Sequence, residues 1–210
     1  MRSILPVLRI HARATLPTRR GMFEVISFRD TEGHTVDDVA LVRGNVSDAG
    51  TVATRIHSEC LTGDALGSLR CDCREQLELA LDRFAAPDGG VLLYLRQEGR
   101  GIGIAEKVRA YELQDHGMDT VEANHHLGFD DDLRSYERAA QMLHALDVTA
   151  VDLHTNNPAK VEGLQGHGIR VKRRVPIVAT SRVESQTYLA TKRDKMGHLL
   201  DDVISGDDPD

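Results

Sequence analysis

The sequence predicts an α/β protein: a mixed sheet with flanking helices, preceded by a β-rich N-terminal part. Two observations support this prediction. The first third of the 210-residue chain contains short segments rich in β-branched residues, separated by Gly, Pro and Asp. From Glu75 onward, compact apolar runs alternate with segments of helical periodicity. Strands that alternate with helices pack in α/β layers. Because no linker separates the two parts, we expect one domain over residues 1–200.

The N-terminal half is predicted to contain five strands and two helices. The first four strands read VLRIHA, MFEVISFR, DDVALVRG and GTVATRIH. Helical spacing predicts a helix from Gln76 to Phe84, and the apolar run from Val91 to Leu95 is typical of a buried strand. The next helix runs from Ile102 to His116, because Gly117 then provides a stop signal.

The C-terminal half continues this alternation. The predicted elements are a helix from Arg134 to Leu146, a strand from Thr149 to His154, a helix from Asn157 to near Gly166, a strand from Ile169 to Val175, and a C-terminal helix from Glu184 to Leu200. Asp131 or Asp132 is the expected N-cap of the first helix. Asn157 and Pro158 suit the cap and first position of the second. Residues 201–210 are acidic, and we expect a flexible tail there.

The composition of the chain argues against some classes of function. Apolar residues make up 40% of the chain, charged residues make up 28%, and the net charge is −7. This acidic balance argues against general nucleic-acid binding, so an anionic ligand requires a local basic pocket. No apolar run reaches the length of a membrane span, and no cleavage-like site follows the N-terminus. We therefore expect a cytoplasmic protein that binds neither nucleic acid nor membrane.

All three cysteines lie in one segment, RIHSECLTGDALGSLRCDC, as Cys60, Cys71 and Cys73. Three thiolates bind Zn²⁺ well and leave the fourth tetrahedral position open for water, which distinguishes a catalytic from a structural zinc. Two alternatives stay open: inert buried thiols, or a structural zinc with a fourth ligand from His57 or a distant histidine. The odd number of cysteines argues against a disulfide framework.

A histidine and a glutamate precede the cysteines in an H-x-E arrangement, His57 to Glu59. Nucleobase deaminases pair this arrangement with P-C-x-x-C. Here no proline precedes Cys71, and a single residue separates it from Cys73. The match is poor, but the chemistry is shared: a zinc-activated water and a nearby carboxylate acting on a heteroaromatic carbon.

Two predicted strand-to-helix junctions are candidate phosphate sites. At the first, VLLYL leads into RQEGRGIG, where Arg96 and Arg100 accompany a Gly-rich turn at a helix N-terminus. The dinucleotide-binding fingerprint does not match, because Ile104 replaces the third glycine. The second junction reads HTNNPAK, with Thr155 and Lys160 as candidate contacts to a phosphate or ribose. A tight turn at the first junction and simple capping at the second are the alternatives.

Together these segments resemble the GTP cyclohydrolase II family, whose members open the guanine ring of GTP to begin riboflavin synthesis. The matching blocks are RIHSECLTGDALGSLRCDC, RQEGRGIG, AYELQDHGMDTVEANHHLGF, HTNNPAK and TKRDKMGHLL. They follow the family's order and cover nearly the whole chain. The resemblance implies a GTP cyclohydrolase II-like fold, and we expect the single-function form without a fusion partner.

The resemblance also implies roles for individual residues. The zinc ligands, for one ion per subunit, fall on the three cysteines. The tyrosine that helps to place water and base falls on Tyr111, and an acid-base and nucleophile pair falls on Asp132 and Arg134. The nucleotide-contacting positions fall on Arg55, Ile56, His57, Ser58, Glu59, Gln76, Glu98, Gly99, Arg100, Thr120, Thr155 and Lys160.

The implied reaction hydrolyses GTP to 2,5-diamino-6-(5-phosphoribosylamino)pyrimidin-4(3H)-one, formate and pyrophosphate. It implies Mg²⁺ bound with the triphosphate and a homodimeric assembly. Arg134 is either a nucleophile on the α-phosphorus or a fixed clamp for attack by water, since a guanidinium stays protonated. The alternative functions are a variant that stops at a formylated product, a zinc hydrolase or deaminase acting on another purine nucleotide, and a nucleotide-binding regulator with structural zinc.

Overall fold

The structure is a computed structural model that describes residues 7–47, 49–130, 132–177 and 179. A seven-stranded sheet runs through it in the order β1-β2-β3-β5-β4-β6-β7. The strands are β1 (Leu8–Thr18), β2 (Gly21–Asp30), β3 (Thr35–Arg43), β4 (Val52–Ser58), β5 (Gly90–Leu95), β6 (Ala150–His154) and β7 (Arg170–Val175). The predicted mixed α/β class is confirmed, and every strand predicted from the sequence within these ranges is present.

The sheet has an antiparallel half and a parallel half. β1, β2 and β3 pair as an antiparallel meander, and β3 also pairs antiparallel with β5. β5, β4, β6 and β7 are parallel neighbours. The carboxyl ends of parallel strands meet at one edge, and ligands of open α/β sheets bind at that edge. The chain segments that follow β4, β5 and β6 are therefore placed together.

Helices flank this sheet. They are α1 (Leu61–Asp64), α2 (Cys73–Phe84), α3 (Gly103–Asp115), α4 (Thr120–His126), α5 (Glu137–Ala145) and α6 (Pro158–Gly166), with a 3₁₀ turn over Glu98–Gly101. The helix opened by Asn157 is confirmed, because the Asn157 side chain accepts a hydrogen bond from the Ala159 N–H at 2.9 Å.

Two of the described helices were not predicted, the four-residue α1 and α4. α4 is capped by Asp119, whose Oδ1 accepts hydrogen bonds from the N–H groups of Val121 and Glu122. Glu122 Oε2 in turn accepts from the Asp119 N–H at 3.0 Å, which completes a capping box. The sequence signal was present as D-T-V-E, in which an acidic cap precedes a glutamate by three residues.

The predicted start of α5 was wrong. The helix begins at Glu137, and Asp132 does not cap it. The residues before it follow the cleft instead: the Leu133 N–H donates to the Arg100 carbonyl at 3.1 Å, and the Asp132 carboxylate pairs with Arg134. The tertiary bond to Arg100 and the local pair of Asp132 with Arg134 outweigh the helical pattern. Asp131, the predicted C-terminal helix from Glu184 to Leu200, and the acidic tail lie outside the described residues.

The hydrophobic core occupies both faces of the sheet. Because side chains alternate along a strand, Leu93 of β5 joins the larger cluster while Leu92 joins the smaller one. Met142 of α5 packs in the larger cluster and Phe84 of α2 in the smaller. Each such fully buried apolar side chain contributes about 1.5–3 kcal/mol. Among the described helices, none has the length and hydropathy that a bilayer crossing requires.

Candidate active site

A cleft of about 390 Å³ lies at the carboxyl edge of the parallel strands. It is formed by the segments after β4, β5 and β6 together with α2 and α3. The predicted site residues in its wall are Arg55, His57, Ser58, Glu59, Cys60, Cys71, Cys73, Gln76, Glu98, Gly99, Arg100, Tyr111, Thr120, Arg134, Thr155 and Lys160. Segments far apart in sequence therefore converge on one cavity, as the resemblance implies.

Two predicted site residues lie outside the cleft wall. Ile56 is fully buried in the larger core cluster, because alternation along β4 directs its neighbours Arg55 and His57 to the cleft. Ile56 contributes its carbonyl oxygen, which accepts a hydrogen bond from Lys160 Nζ at 2.8 Å. Asp132 acts on the cleft through its ion pair with Arg134.

The three cysteine sulphurs form a compact cluster. All lie within 4.8 Å of one another, and Cys60 Sγ is 3.6 Å from Cys71 Sγ. Tetrahedral Zn²⁺ with Zn–S bonds of about 2.3 Å separates its thiolates by about 3.8 Å. A Cβ at Gly63 would lie 2.8 Å from Cys71 Sγ, so glycine leaves the room that the thiols occupy. The donor set and its spacing fit a Zn²⁺ ion.

The loop that carries Cys60 is held by Asp64, a residue that the sequence did not single out. Its carboxylate accepts hydrogen bonds from the Cys60 N–H at 3.1 Å, from Tyr94 Oη at 2.9 Å and from His57 Nε2 at 3.0 Å. Burial lowers the pKa of His57 despite this carboxylate. The imidazole is therefore neutral near pH 7, and it donates through Nε2. It also stacks on Tyr94 with 5.4 Å between ring centroids.

A buried ion pair connects this loop to the Gly-rich turn. Glu98 Oε2 accepts the Leu61 N–H at 2.6 Å, and Oε1 accepts the Gly99 N–H at 2.8 Å. Lys107 Nζ donates to the same Oε1 at 2.7 Å and lies 3.1 Å from Cys60 Sγ. Sequence reasoning missed Lys107. Its position one helical turn before Tyr111 on α3 was the available signal.

Tyr111 lies beside the cysteine cluster. Its hydroxyl is 3.2 Å from Thr62 Oγ1, and the guanidinium carbon of Arg70 lies 4.7 Å from the centroid of its ring. Burial raises the pKa of Tyr111, so its phenol stays protonated at neutral pH. The site therefore offers an O–H donor close to the cysteine sulphurs.

Gln76 has a fixed amide orientation. Arg55 donates to Gln76 Oε1 at 2.5 Å, and Gln76 Nε2 donates to the Asp72 carboxylate. A guanidinium donates only and a carboxylate accepts only, so the two neighbours define which end of the amide is oxygen. Burial lowers the pKa of Arg55 to about 10, which still leaves it a cation at neutral pH.

Arginines form the anion-binding part of the cleft. Arg100 adopts a left-handed backbone (φ 61°), and its buried NH1 and NH2 groups have no hydrogen-bond partner among the described residues. Such a backbone costs about 1–3 kcal/mol and tends to occur at functional sites. Arg134 is held by Asp132 through two bonds, Nε to Oδ1 at 2.8 Å and NH2 to Oδ2 at 2.6 Å.

The remaining predicted contacts surround these groups. Ser58 Oγ accepts a hydrogen bond from Gln97, and Glu59 pairs with Arg96 at 3.2 Å. Thr155 Oγ1 accepts the Asn157 N–H at 3.0 Å. Thr120 is the first residue of α4. Asn157 caps α6, as the alternative interpretation of HTNNPAK predicts. Thr155 and Lys160 of the same segment nevertheless line the cleft.

Comparison with known proteins decides the family. The model of the GTP cyclohydrolase II family matches residues 9–176. The chain belongs to the GTP cyclohydrolase II family. It is 54% identical to GTP cyclohydrolase-2 of Azotobacter vinelandii, over 93% of this chain and 94% of that protein. It is 52% identical to GTP cyclohydrolase-2 of Tolumonas auensis, over 91% and 96% of the two chains.

A further relative is longer. Riboflavin biosynthesis protein RibBA of Endomicrobium trichonymphae is 48% identical over 88% of this chain and 46% of its own length. The chain thus spans about half of that relative. The family resemblance read from the sequence blocks is confirmed.

Proposed function

We propose that this protein hydrolyses GTP to 2,5-diamino-6-(5-phosphoribosylamino)pyrimidin-4(3H)-one, formate and pyrophosphate, the first step of riboflavin biosynthesis. One observation carries the proposal: a single cleft holds a cluster of three cysteines and a group of arginine donors. The first suits hydrolysis at a ring carbon, and the second suits a triphosphate. Family membership and the names of the relatives support the same activity.

Gln76 is the proposed reader of the guanine base. With Oε1 facing Arg55 and Nε2 facing Asp72, the amide keeps one further acceptor site and one further N–H. These match the N1–H donor and the O6 acceptor of guanine. Adenine has the opposite pattern, with an acceptor at N1 and a donor at N6. A fixed amide therefore favours guanine without any other contact.

Ring opening is assigned to the cysteine end of the cleft. The chemistry that Zn²⁺ supplies in a three-thiolate site is activation of a water molecule for hydrolysis. Tyr111 holds its proton at the phenol oxygen, where it orients water or donates to the departing ring nitrogen. Asp64 fixes the cysteine backbone and keeps the His57 ring in one tautomer.

Release of pyrophosphate is assigned to the arginine end. Arg100 provides buried N–H donors that lack a partner among the described residues, and Arg134 is oriented by Asp132. Charge-assisted bonds from guanidinium groups to phosphate oxygens stabilise the charge that develops on the leaving group. We propose that Mg²⁺ enters with the triphosphate, where it would neutralise part of the charge that develops on the phosphate oxygens.

We also propose one Zn²⁺ per subunit of a cytoplasmic homodimer that binds neither nucleic acid nor membrane. The net charge of −7 and the three free cysteines support this setting. The proposal keeps the single domain predicted over residues 1–200, while residues 201–210 lie outside the described part of the chain.

The test is a mass spectrum of the products after the zinc-loaded protein is incubated with GTP and Mg²⁺, with ATP as the matched control substrate. The diaminopyrimidinone, formate and pyrophosphate are expected from GTP alone. A retained formyl group would indicate a variant cyclohydrolase. Ammonia without formate would indicate a deaminase. Unchanged GTP would contradict the proposal and favour a nucleotide-binding regulator.

A further inference from the structure

Lys107 contacts the cysteine cluster directly. Its Nζ lies 3.1 Å from Cys60 Sγ and 2.7 Å from Glu98 Oε1, and only 12% of its side chain is exposed. The same ammonium lies 5.7 Å from the centroid of the Tyr111 ring. A buried cation thus lies between a metal-ligating sulphur, a carboxylate and the phenol of the site.

The Glu98 carboxylate does not by itself explain this lysine. Both oxygens of Glu98 already accept backbone hydrogen bonds, one from Leu61 and one from Gly99. The Lys107 ammonium has three N–H donors, and its bond to Glu98 Oε1 uses one of them. The contact that sets Lys107 apart from an ordinary buried ion pair is therefore the contact with Cys60 Sγ.

The negative charge of a three-thiolate zinc centre explains why a cation next to Cys60 is favourable. Three thiolates around Zn²⁺ leave a net negative centre, and each thiolate donates electron density that weakens the pull of the ion on water. An N⁺–H group that donates to one sulphur withdraws part of that density. Groups that bond to metal ligands in this way tune the metal, and their loss costs about 10- to 100-fold in affinity or activity.

We infer that Lys107 is a positioning residue of the metal centre, whose ammonium group donates to Cys60 Sγ and offsets the negative charge of the three thiolates. Glu98 holds the ammonium in place through its Oε1. The inference rests on the proposed function and deepens it, because it assigns the tuning of the ring-opening site to a residue that contacts a cysteine sulphur.

The first test uses the protein with Co²⁺ in place of Zn²⁺, because the sulphur-to-cobalt charge-transfer band reports the electron density on the thiolates. In Lys107→Leu this band is expected to move to longer wavelength. Lys107→Gln keeps a neutral N–H donor and should show a smaller shift in the same direction, and Lys107→Arg should remain closest to wild type. Lys172→Leu, at an exposed position on β7, is the matched control and should leave the band unchanged.

The second readout is kinetic. In Lys107→Leu, ring opening is expected to fall about 10- to 100-fold, with little change in the KM for GTP and with pyrophosphate release retained. Lys107→Arg should restore part of the rate. An unshifted cobalt band in both Lys107→Leu and Lys107→Gln would overturn the inference, as would equal loss of ring opening and pyrophosphate release. If wild type leaves GTP unchanged, the proposed function fails, while the cobalt band still decides the role of Lys107.

Discussion

Replacement of Asp132 by asparagine distinguishes the two roles that the sequence left open for Arg134. In the structure Arg134 donates Nε and NH2 to the two carboxylate oxygens of Asp132, at 2.8 and 2.6 Å. Burial alone would raise the pKa of Asp132, but the hydrogen bonds and charge of Arg134 outweigh it and lower the pKa. A carboxylate with a lowered pKa is a weak base towards a guanidinium, so we expect a clamp.

The magnitude follows from the bonds that change. Asp132→Asn keeps an acceptor oxygen for Arg134 Nε, but it places an NH₂ group opposite the NH2 donor. One charge-assisted hydrogen bond is lost, which costs about 1.5–3 kcal/mol. Since about 1.4 kcal/mol corresponds to tenfold in rate, pyrophosphate release should slow about 10- to 100-fold. If Asp132 must instead accept a proton to create a nucleophile, asparagine abolishes the step.

The assay combines two measurements. Pyrophosphate is followed continuously in wild type and Asp132→Asn, and wild type is rapidly quenched with GTP labelled at the α-phosphorus. A clamp predicts the moderate loss above and no label on precipitated protein at any time of turnover. Label bound to the protein, together with a loss beyond about 10⁴-fold in the variant, would refute the reasoning.

Three other variants test separate parts of the cleft. Cys71→Ser should abolish Zn²⁺ binding, measured by metal analysis, and ring opening, while pyrophosphate release persists; loss of both activities in a folded variant would argue against separate chemistries. Tyr111→Phe should slow formate release about 10²- to 10⁴-fold and accumulate a formylated product in mass spectra, unless the phenol plays no part in proton transfer. Lys160→Met removes the hydrogen bond to the buried Ile56 carbonyl and should lower the free energy of unfolding by about 1–3 kcal/mol in urea denaturation. Unchanged stability would assign Lys160 to substrate alone.

The fold was largely predictable because its strands carry strong local signals. The apolar run before the Gly-rich turn became β5, and the alternating segments near the N-terminus became an antiparallel meander. The start of α5 was missed for a tertiary reason, since Leu133 bonds to the Arg100 carbonyl in a segment that is 33 residues away in sequence. Helical periodicity cannot report a contact of that kind.

The sequence predicted which residue types form the candidate site, but it did not predict the contacts between them. Three clustered cysteines indicate a metal whatever the fold. Asp64 acts through contacts of α1 with β4 and β5, and Lys107 acts through a contact of α3 with the segment after β4. Neither residue belongs to a spacing pattern that predicts a ligand. Glu98 is a residue whose contacts in the structure differ from those that its motif predicts. The motif indicates a nucleotide contact, while its oxygens in the structure accept the N–H groups of Leu61 and Gly99.

Glu98 connects the ring-opening end of the cleft to its phosphate-binding end. Glu98 accepts a hydrogen bond from Leu61, the residue that follows Cys60. Glu98 also begins the turn in which Gly99 and Arg100 adopt left-handed conformations. A single buried carboxylate thus fixes both the loop that carries Cys60 and the loop that carries Arg100. Because neither loop can shift without breaking a bond to Glu98, the ring-opening groups and the phosphate-binding groups keep one spacing. A substrate that joins a purine to a triphosphate through a ribose requires that spacing to be constant.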